Sequence, residues 1–292
     1  MKKILIFLLL LFSFQAPAQI IFNNGGTASA PQETLDTAIV KIGYSAFSVP
    51  DTLNRKKVIE DYLILEIGPK YSKYYSENVR RRDSLMRNMI ERAGSNITNI
   101  NFDADFFKSN NIKPGGDGNV ITKKLTENKL IFTGKIANND YEYEEPLNEM
   151  QWQIEPDTMT FLSYLCQKAT LNFRGRQYEA WFTYDIPIFN GPWKFHGLPG
   201  LILKISDNKN EYRFECNEIS YQISPITFEK NNYIKASRED FLKLQKKFND
   251  NPLESLKGSM PGTNIKMIVK GSDGQPIDME KFKRPYNPIE LN

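Results

Sequence analysis

The sequence predicts a mainly β fold: a β-rich α+β domain with one large curved antiparallel sheet, or half-barrel, and about two helices packed on one face. Three observations support this prediction. The chain has 14 Tyr and 19 Phe, and aromatic residues favour strands. Many segments alternate apolar and polar residues with the period of a strand, while few show a helical period. No repeat of roughly 20–50 residues occurs, which argues against a solenoid or a propeller.

The first 18 residues predict a cleavable signal peptide. Lys2 and Lys3 precede an apolar run over residues 4–14, and small residues end the segment at Ala18. The run is shorter than the ~20 residues that a membrane-spanning helix needs. We therefore expect cleavage after Ala18, export from the cytoplasm and no integral membrane segment after cleavage. The mature chain then consists of a flexible lead-in over residues 19–36 and a single domain over residues 37–292.

The charge of the chain bounds its partners. Residues 1–18 contain two Lys and no acid, so their removal lowers the formal net charge from +3 to +1. Nucleic-acid-binding domains depend on a strong basic surface. We therefore expect no nucleic-acid partner.

The first half of the domain predicts strands and one helix. Strands are expected over residues 38–47 and 62–67, and residues 70–76 could be a strand or a loop. The segment Glu77–Ala93 carries one apolar stripe at helical spacing and is followed by Gly94, which favours a helix that ends there. A Gly-rich loop over residues 111–119 then precedes a hairpin, with strands over residues 120–125 and 129–136.

The second half predicts mostly strands, over residues 159–173, 176–186, 201–205 and 212–221. Gly175 is the expected turn between the first two. One further helix is expected from Arg238 to Asn249, because Ser237 is a suitable N-cap and Pro252 lies beyond its end. The tail from about Gly258 onward has no predicted register.

Two turns separate the strands near the middle of the chain. Pro199 presets φ and Gly200 accepts a positive φ, which predicts a type II turn at Leu198-Pro199-Gly200-Leu201. Gly191-Pro192 predicts another turn, and Trp193–His196 between the two carries the only histidine. We favour an architectural role for this segment, in which it sets the register of the sheet, over a chemical one.

The segment Gly191–Ile202, GPWKFHGLPGLI, resembles the GLPGLI family, exported proteins of Bacteroidetes named for the hexapeptide. Matching segments in the same order are Met150–Trp152, Tyr164–Thr170, Phe173–Arg176, Ala180–Thr183 and the C-terminal Asn287–Leu291. The resemblance implies a structural motif at Gly191, Pro192, Gly197, Leu198, Pro199, Gly200, Leu201 and Ile202. It also implies the periplasm or cell exterior of a Gram-negative bacterium, and it implies no activity, because the family has none established.

Several side chains around this motif are candidates for ligand binding: Arg174, Arg176, Trp181, Asp185, Trp193 and His196. Arg174 and Arg176 flank the Gly175 turn. They could form structural salt bridges with Asp185, Glu179 or Glu290, which is the simpler interpretation, or recognise a carboxylate or phosphate.

Familiar catalytic and metal-binding patterns are missing. A single histidine excludes His-rich zinc sites, and no paired CxxC, GxSxG or Walker A pattern occurs. We therefore expect no metal, no cofactor and no catalytic residue. Cys166 and Cys216 could form a disulfide, and two buried free thiols are an equal alternative. The acidic run Asp140–Glu145 predicts a solvated hairpin edge, and Gly116-Asp117-Gly118 predicts a turn rather than a calcium loop.

The leading functional hypothesis is a binding or carrier module. Aromatic residues of the sheet would hold an apolar or peptide ligand, or dock an envelope protein. One alternative is a carboxylate-dependent hydrolase that uses Asp185 and Glu179 with Arg174 and Arg176. A third hypothesis is a structural accessory of an outer-membrane transport system.

Overall fold

The computed structural model describes residues 18–20, 31–93, 100–102, 109, 116–147, 150–259 and 283–292. The predicted signal peptide before Ala18, most of the predicted lead-in, residues 111–115 of the predicted loop and most of the predicted tail lie outside these residues. Within the described ranges, none of the helices has the length and apolar character needed to cross a membrane.

In chain order the elements are β1 (Ala18–Ile20), β2 (Gln32–Ala38), β3 (Val40–Ser48), β4 (Ile59–Ile67), β5 (Tyr71–Ser76), α1 (Glu77–Ala93), β6 (Ile100–Phe102), β7 (Val120–Lys124), β8 (Lys129–Ile136), β9 (Asn139–Pro146), β10 (Gln153–Phe161), β11 (Tyr164–Phe173), β12 (Arg176–Thr183), β13 (Leu201–Asp207), β14 (Tyr212–Ser220), β15 (Ser224–Glu229), β16 (Ile234–Lys235), α2 (Arg238–Asp250) and α3 (Pro252–Ser259).

Twelve of these strands form one open sheet in the order β10-β11-β12-β13-β14-β3-β4-β5-β7-β8-β9-β16. Neighbouring strands are antiparallel except for β16, which runs parallel to β9. Two small sheets, β1 with β6 and β2 with β15, accompany it. Helix α1 contacts β4 and β5, and α2 contacts β8 and β9. The predicted β-rich fold with a large sheet is confirmed.

Several elements form where the local pattern predicts them. Helix α1 has the predicted bounds, and α2 begins after Ser237, whose hydroxyl accepts a hydrogen bond from the Asp240 backbone N–H. The predicted hairpin is β7 and β8. A third helix, α3, begins at Pro252, which was expected only to lie beyond a helix. Proline suits the first helical position because its missing N–H has no intrahelical partner there.

Two expectations about strands are wrong. Residues 159–173 do not form one strand: β10 and β11 meet in a hairpin at Leu162 and Ser163, whose φ values are 50° and 67°. Apolar residues continue on both sides of this turn, and it contains no Gly or Pro. The alternating pattern therefore runs through the turn and predicts one continuous strand. Residues 32–36 of the predicted flexible lead-in belong to β2, which pairs with β15.

Candidate functional site: an aromatic cavity beneath the C-terminal segment

The GLPGLI segment is shaped by close packing rather than by a type II turn. Positive φ occurs at Gly197 (89°) and not at Gly200, so the predicted type II geometry is wrong. A Cβ on Gly200 would lie 2.0 Å from the backbone oxygen of Thr183. Gly200 is therefore required because the backbone at the end of β12 approaches it closely.

A buried lysine holds the residues before the hexapeptide. Lys123 on β7 is 1% exposed. Its Nζ donates to Asn190 Oδ1 at 2.7 Å, to the Phe195 carbonyl at 2.8 Å and to the Gly191 carbonyl at 3.4 Å. Burial lowers the pKa of this ammonium to about 7. Asn190 also donates to Ser72 Oγ on β5 at 2.9 Å. The residues between β12 and β13 are therefore bonded to both β5 and β7.

A second buried lysine corrects the interpretation of the acidic run. Lys194 is 2% exposed and its Nζ lies 2.5 Å from Glu145 Oε1 and 2.6 Å from Glu290 Oε1. Glu142 is also buried and pairs with Lys235. The run is therefore not a fully solvated edge, because Glu142 is buried and Glu145 is half-buried, whereas Glu144 is exposed. Glu145 balances the buried Lys194, and Glu142 pairs with Lys235, which lies at the surface.

The arginines beside Gly175 form buried ion pairs. Arg176 Nη1 lies 2.8 Å from both Asp207 Oδ2 and Glu211 Oε2, and its Nη2 donates to Asn287 Oδ1 at 2.7 Å. Arg174 pairs with Glu145 at 3.1 Å and approaches Glu290 at 3.9 Å. Neither guanidinium has an ion pair with Asp185 or Glu179 in the described part of the chain. These contacts match the structural alternative rather than anion recognition.

The six predicted binding residues do not converge on one site. Trp181 donates to Glu179 Oε1 at 3.1 Å, and Asp185 is exposed at the turn after β12. His196 receives a hydrogen bond at its carbonyl from Trp152 Nε1, and its Nδ1 lies 2.9 Å from the Lys194 carbonyl. Of the six, Trp193 alone lines the cavity described below.

Both cysteines are buried in the core and both are free thiols in the structure. Burial raises the pKa of each, that of Cys216 to about 12. A raised thiol pKa disfavours the reactive thiolate. The free-thiol alternative is therefore the one that the structure contains.

A cavity of about 270 Å³ lies between the twelve-stranded sheet, α2 and residues 284–290. Aromatic side chains line it from four strands, the Gly191–Ile202 segment and α2: Tyr74, Phe132, Tyr143, Trp193, Phe214 and Phe241. The Phe241 ring lies 5.1 Å from the Phe132 ring and 5.7 Å from the Tyr143 ring. This volume is just below the roughly 300–1,000 Å³ of most small-molecule pockets.

The C-terminal segment, residues 283–292, closes one side of this cavity. Arg176 donates to the Pro288 carbonyl at 2.7 Å, Tyr178 OH donates to the Ile289 carbonyl at 3.2 Å, and Tyr212 OH donates to the Asn287 carbonyl. The same arginine therefore neutralises buried acids and fixes the wall of the cavity.

Asp61, on β4, is the most distinctive polar group in the cavity. Its Oδ1 accepts three hydrogen bonds, each 2.9 Å long, from the Tyr62 N–H, Ser76 Oγ and Asn78 Nδ2. Its Oδ2 has no donor among the described residues. Burial, with a smaller contribution from the nearby Asp117, raises the pKa of this carboxyl to about 6, although the three hydrogen bonds oppose the shift.

Two further charged groups line the same cavity. Asp117 is exposed, and it lies between Gly116 and Gly118, whose φ values are 82° and 67°. Arg284 is half-buried, and its guanidinium has no ion pair or hydrogen bond within the described ranges. Burial lowers its pKa.

Sequence reasoning missed Asp61 and Arg284. Asp61 lies next to a predicted strand and Arg284 lies in the tail, and neither belongs to a recognisable motif. Among the residues described, no group of three or more His, Cys, Asp or Glu could hold a metal ion.

Comparison with known proteins finds a family match for the central segment of the chain. Residues 174–204, which contain the Gly175 turn and the GLPGLI hexapeptide, match the family model described as "Protein of unknown function (Porph_ging)". No curated protein matches the sequence.

Two solved structures of PNGF-II, in space groups P21 and C2, are similar to this chain. They share 14% and 15% sequence identity with it, each with a TM-score of 0.47 over 73% of this chain. The match covers 34% and 33% of those chains, so this chain spans about a third of their length. A similarity this low supports no conclusion about activity. The established relationship is therefore the match of residues 174–204 to a family of unknown function.

Proposed function

We propose that the protein is an exported envelope protein of the GLPGLI family that binds a small, largely apolar ligand in the aromatic cavity. The observation that carries this proposal is the cavity itself, which has many aromatic residues in its walls and a volume of about 270 Å³. Concave sites of this composition are typical of small-molecule binding.

The packing around the cavity supports a preformed site. Phe241 is 1% exposed, and Phe132 and Tyr143 stack with ring centroids 4.6 Å apart. The wall formed by residues 284–290 is fixed by hydrogen bonds to its backbone from Arg176, Tyr178 and Tyr212. A site whose walls are already ordered loses little conformational entropy when a ligand binds.

The two alternatives have less support. A hydrolase built on Asp185 and Glu179 would need them in one pocket with Arg174 or Arg176, but Glu179 pairs with Lys168 at 3.0 Å and Asp185 is exposed. The hypothesis of a purely structural accessory would be favoured if no cavity lay beside the motif, but Trp193 of the motif segment lines one.

Native mass spectrometry of the protein purified gently from the cell envelope tests the proposal. We expect a stoichiometric small molecule that denaturation releases, and a mature chain that begins at Gln19. The variant Ala46→Leu adds three carbon atoms to a residue that lines the cavity, so it should lose the ligand. Ala46→Ser adds one atom and should retain it. Equal ligand content in both variants would contradict binding at this site.

A further inference from the structure

We propose that the cavity recognises an apolar ligand that carries an ammonium group, and that Asp61 Oδ2 accepts a hydrogen bond from it. This inference rests on the proposed function, because it names the class of ligand for the same cavity.

The hydrogen bonds of Asp61 orient its free oxygen. Three donors saturate Oδ1 and fix the carboxylate plane, whereas Oδ2 has no donor among the described residues. Oδ2 faces Gly116, where a Cβ would lie 2.6 Å from it. Both residues line the cavity. A side chain at position 116 would contact this oxygen, so the glycine leaves space beside it in the cavity lining.

The charges around Asp61 favour a cation over an anion. Asp61 and Asp117 contribute two carboxylates to the lining, and Arg284 contributes one guanidinium. Glu290 is already balanced by Lys194 at 2.6 Å and by Arg238. Lys135, which also lines the cavity, is paired with Asp140 at 3.5 Å. The groups without a full set of partners therefore carry a net negative charge, which repels a carboxylate and attracts an ammonium.

The apolar surroundings favour a ligand with an ammonium group over a ligand with a neutral hydroxyl. A carboxylate in a low-dielectric site is costly unless a partner compensates its charge. A charge-assisted hydrogen bond from an ammonium is stronger than one from a hydroxyl. Tyr74 and Phe214 also line the cavity, and aromatic side chains attract cations.

Titration calorimetry at pH 7.5 with three probes of similar size tests the inference: 2-phenylethylamine, 2-phenylethanol and 3-phenylpropanoate. We expect the amine to bind at least about tenfold more tightly than the alcohol, which is the range of one charge-assisted hydrogen bond, and the carboxylate to bind most weakly.

The variant Asp61→Asn removes the charge and keeps the shape. Its amide oxygen can accept the three bonds now made to Oδ1, and its NH₂ then replaces Oδ2. Amine affinity should fall by about tenfold or more, while alcohol affinity stays within about twofold. Asp157→Asn, an exposed aspartate on β10, is the matched control and should change neither affinity.

The outcomes separate this inference from the proposed function. Equal affinity of the wild-type protein for the amine and the alcohol overturns the inference and leaves apolar binding intact. Tighter binding of 3-phenylpropanoate overturns it in favour of recognition by Arg284. If none of the probes binds and the purified protein also retains no ligand, both the inference and the proposed function are wrong.

Discussion

Replacing Arg176 with methionine should be among the most damaging single changes in this protein. Arg176 is 5% exposed, and its Nη1 lies 2.8 Å from a carboxylate oxygen of each of Asp207 and Glu211, which are also buried. Methionine fills a similar volume but leaves two buried acids without that partner. Removing one member of a buried ion pair costs about 3–5 kcal/mol. We therefore expect the free energy of unfolding to fall by about that amount.

Urea unfolding at pH 7.5 measures this loss, and Arg55 provides a matched control. Arg55 pairs with the same Glu211 at 2.9 Å, but its side chain is 48% exposed. Exposed ion pairs contribute about 0–1 kcal/mol, so Arg55→Met should cost no more than that. Arg176→Lys should also destabilise the protein, because an ammonium cannot reproduce the guanidinium fork. The reasoning is refuted if Arg176→Met costs no more than Arg55→Met.

Three further predictions concern groups whose environment is unusual. Asp61→Asn should raise the free energy of unfolding at pH 7.5 by up to about 3 kcal/mol but not at pH 4. The pKa of Asp61 is raised from 3.8 to about 6, so its ionised carboxyl destabilises the folded state above pH 6. A gain at pH 4 as large as the gain at pH 7.5 would contradict this prediction. The pKa of Glu211 is shifted in the opposite direction. Burial alone would raise it, but hydrogen bonds, of which that from Arg176 is the largest, lower it from 4.5 to about 2. The contribution of ionised Glu211 to stability is therefore complete above pH 4.5 and is lost as the pH falls toward 2. Glu211→Gln should therefore flatten the acid limb of a stability–pH curve, and an unchanged limb counts against this assignment. Gly200→Ala places a methyl group 2.0 Å from the Thr183 oxygen and should cost about 1–3 kcal/mol, which thermal unfolding detects as a lower Tm; an unchanged Tm would rule out the close approach.

Elements with complete local signals were predictable from the chain alone. Helix α1 combines an apolar stripe with a following Gly94, and α2 combines the Ser237 cap with acids in its first turn. These signals act within a few residues, so they do not depend on the rest of the fold. The turn at Leu162 and Ser163 was missed because it adopts positive φ without glycine or proline.

The charged residues were harder to interpret. Lys123, Lys194 and Arg176 have the same sequence appearance as solvated surface charges, yet all three are buried and hold the core together. Their partners come from parts of the chain far away in sequence, as with Glu145 and Glu290 around Lys194. Burial of a charge depends on where its counter-charges lie in space, and local sequence carries no record of that.

The sequence by itself determined most strands of the large sheet, the two longer helices and the position of the central motif segment, because periodicity, caps and turn residues are local properties. Only the tertiary structure decided the candidate site. The cavity requires Asp61 from β4, Phe241 from α2 and residues 284–290 from the chain end to meet. Ser76 and Asn78 donate to one oxygen of Asp61, and within the described ranges no donor reaches the other. Such an arrangement depends on long-range packing, which sets distances and burial that no local pattern encodes.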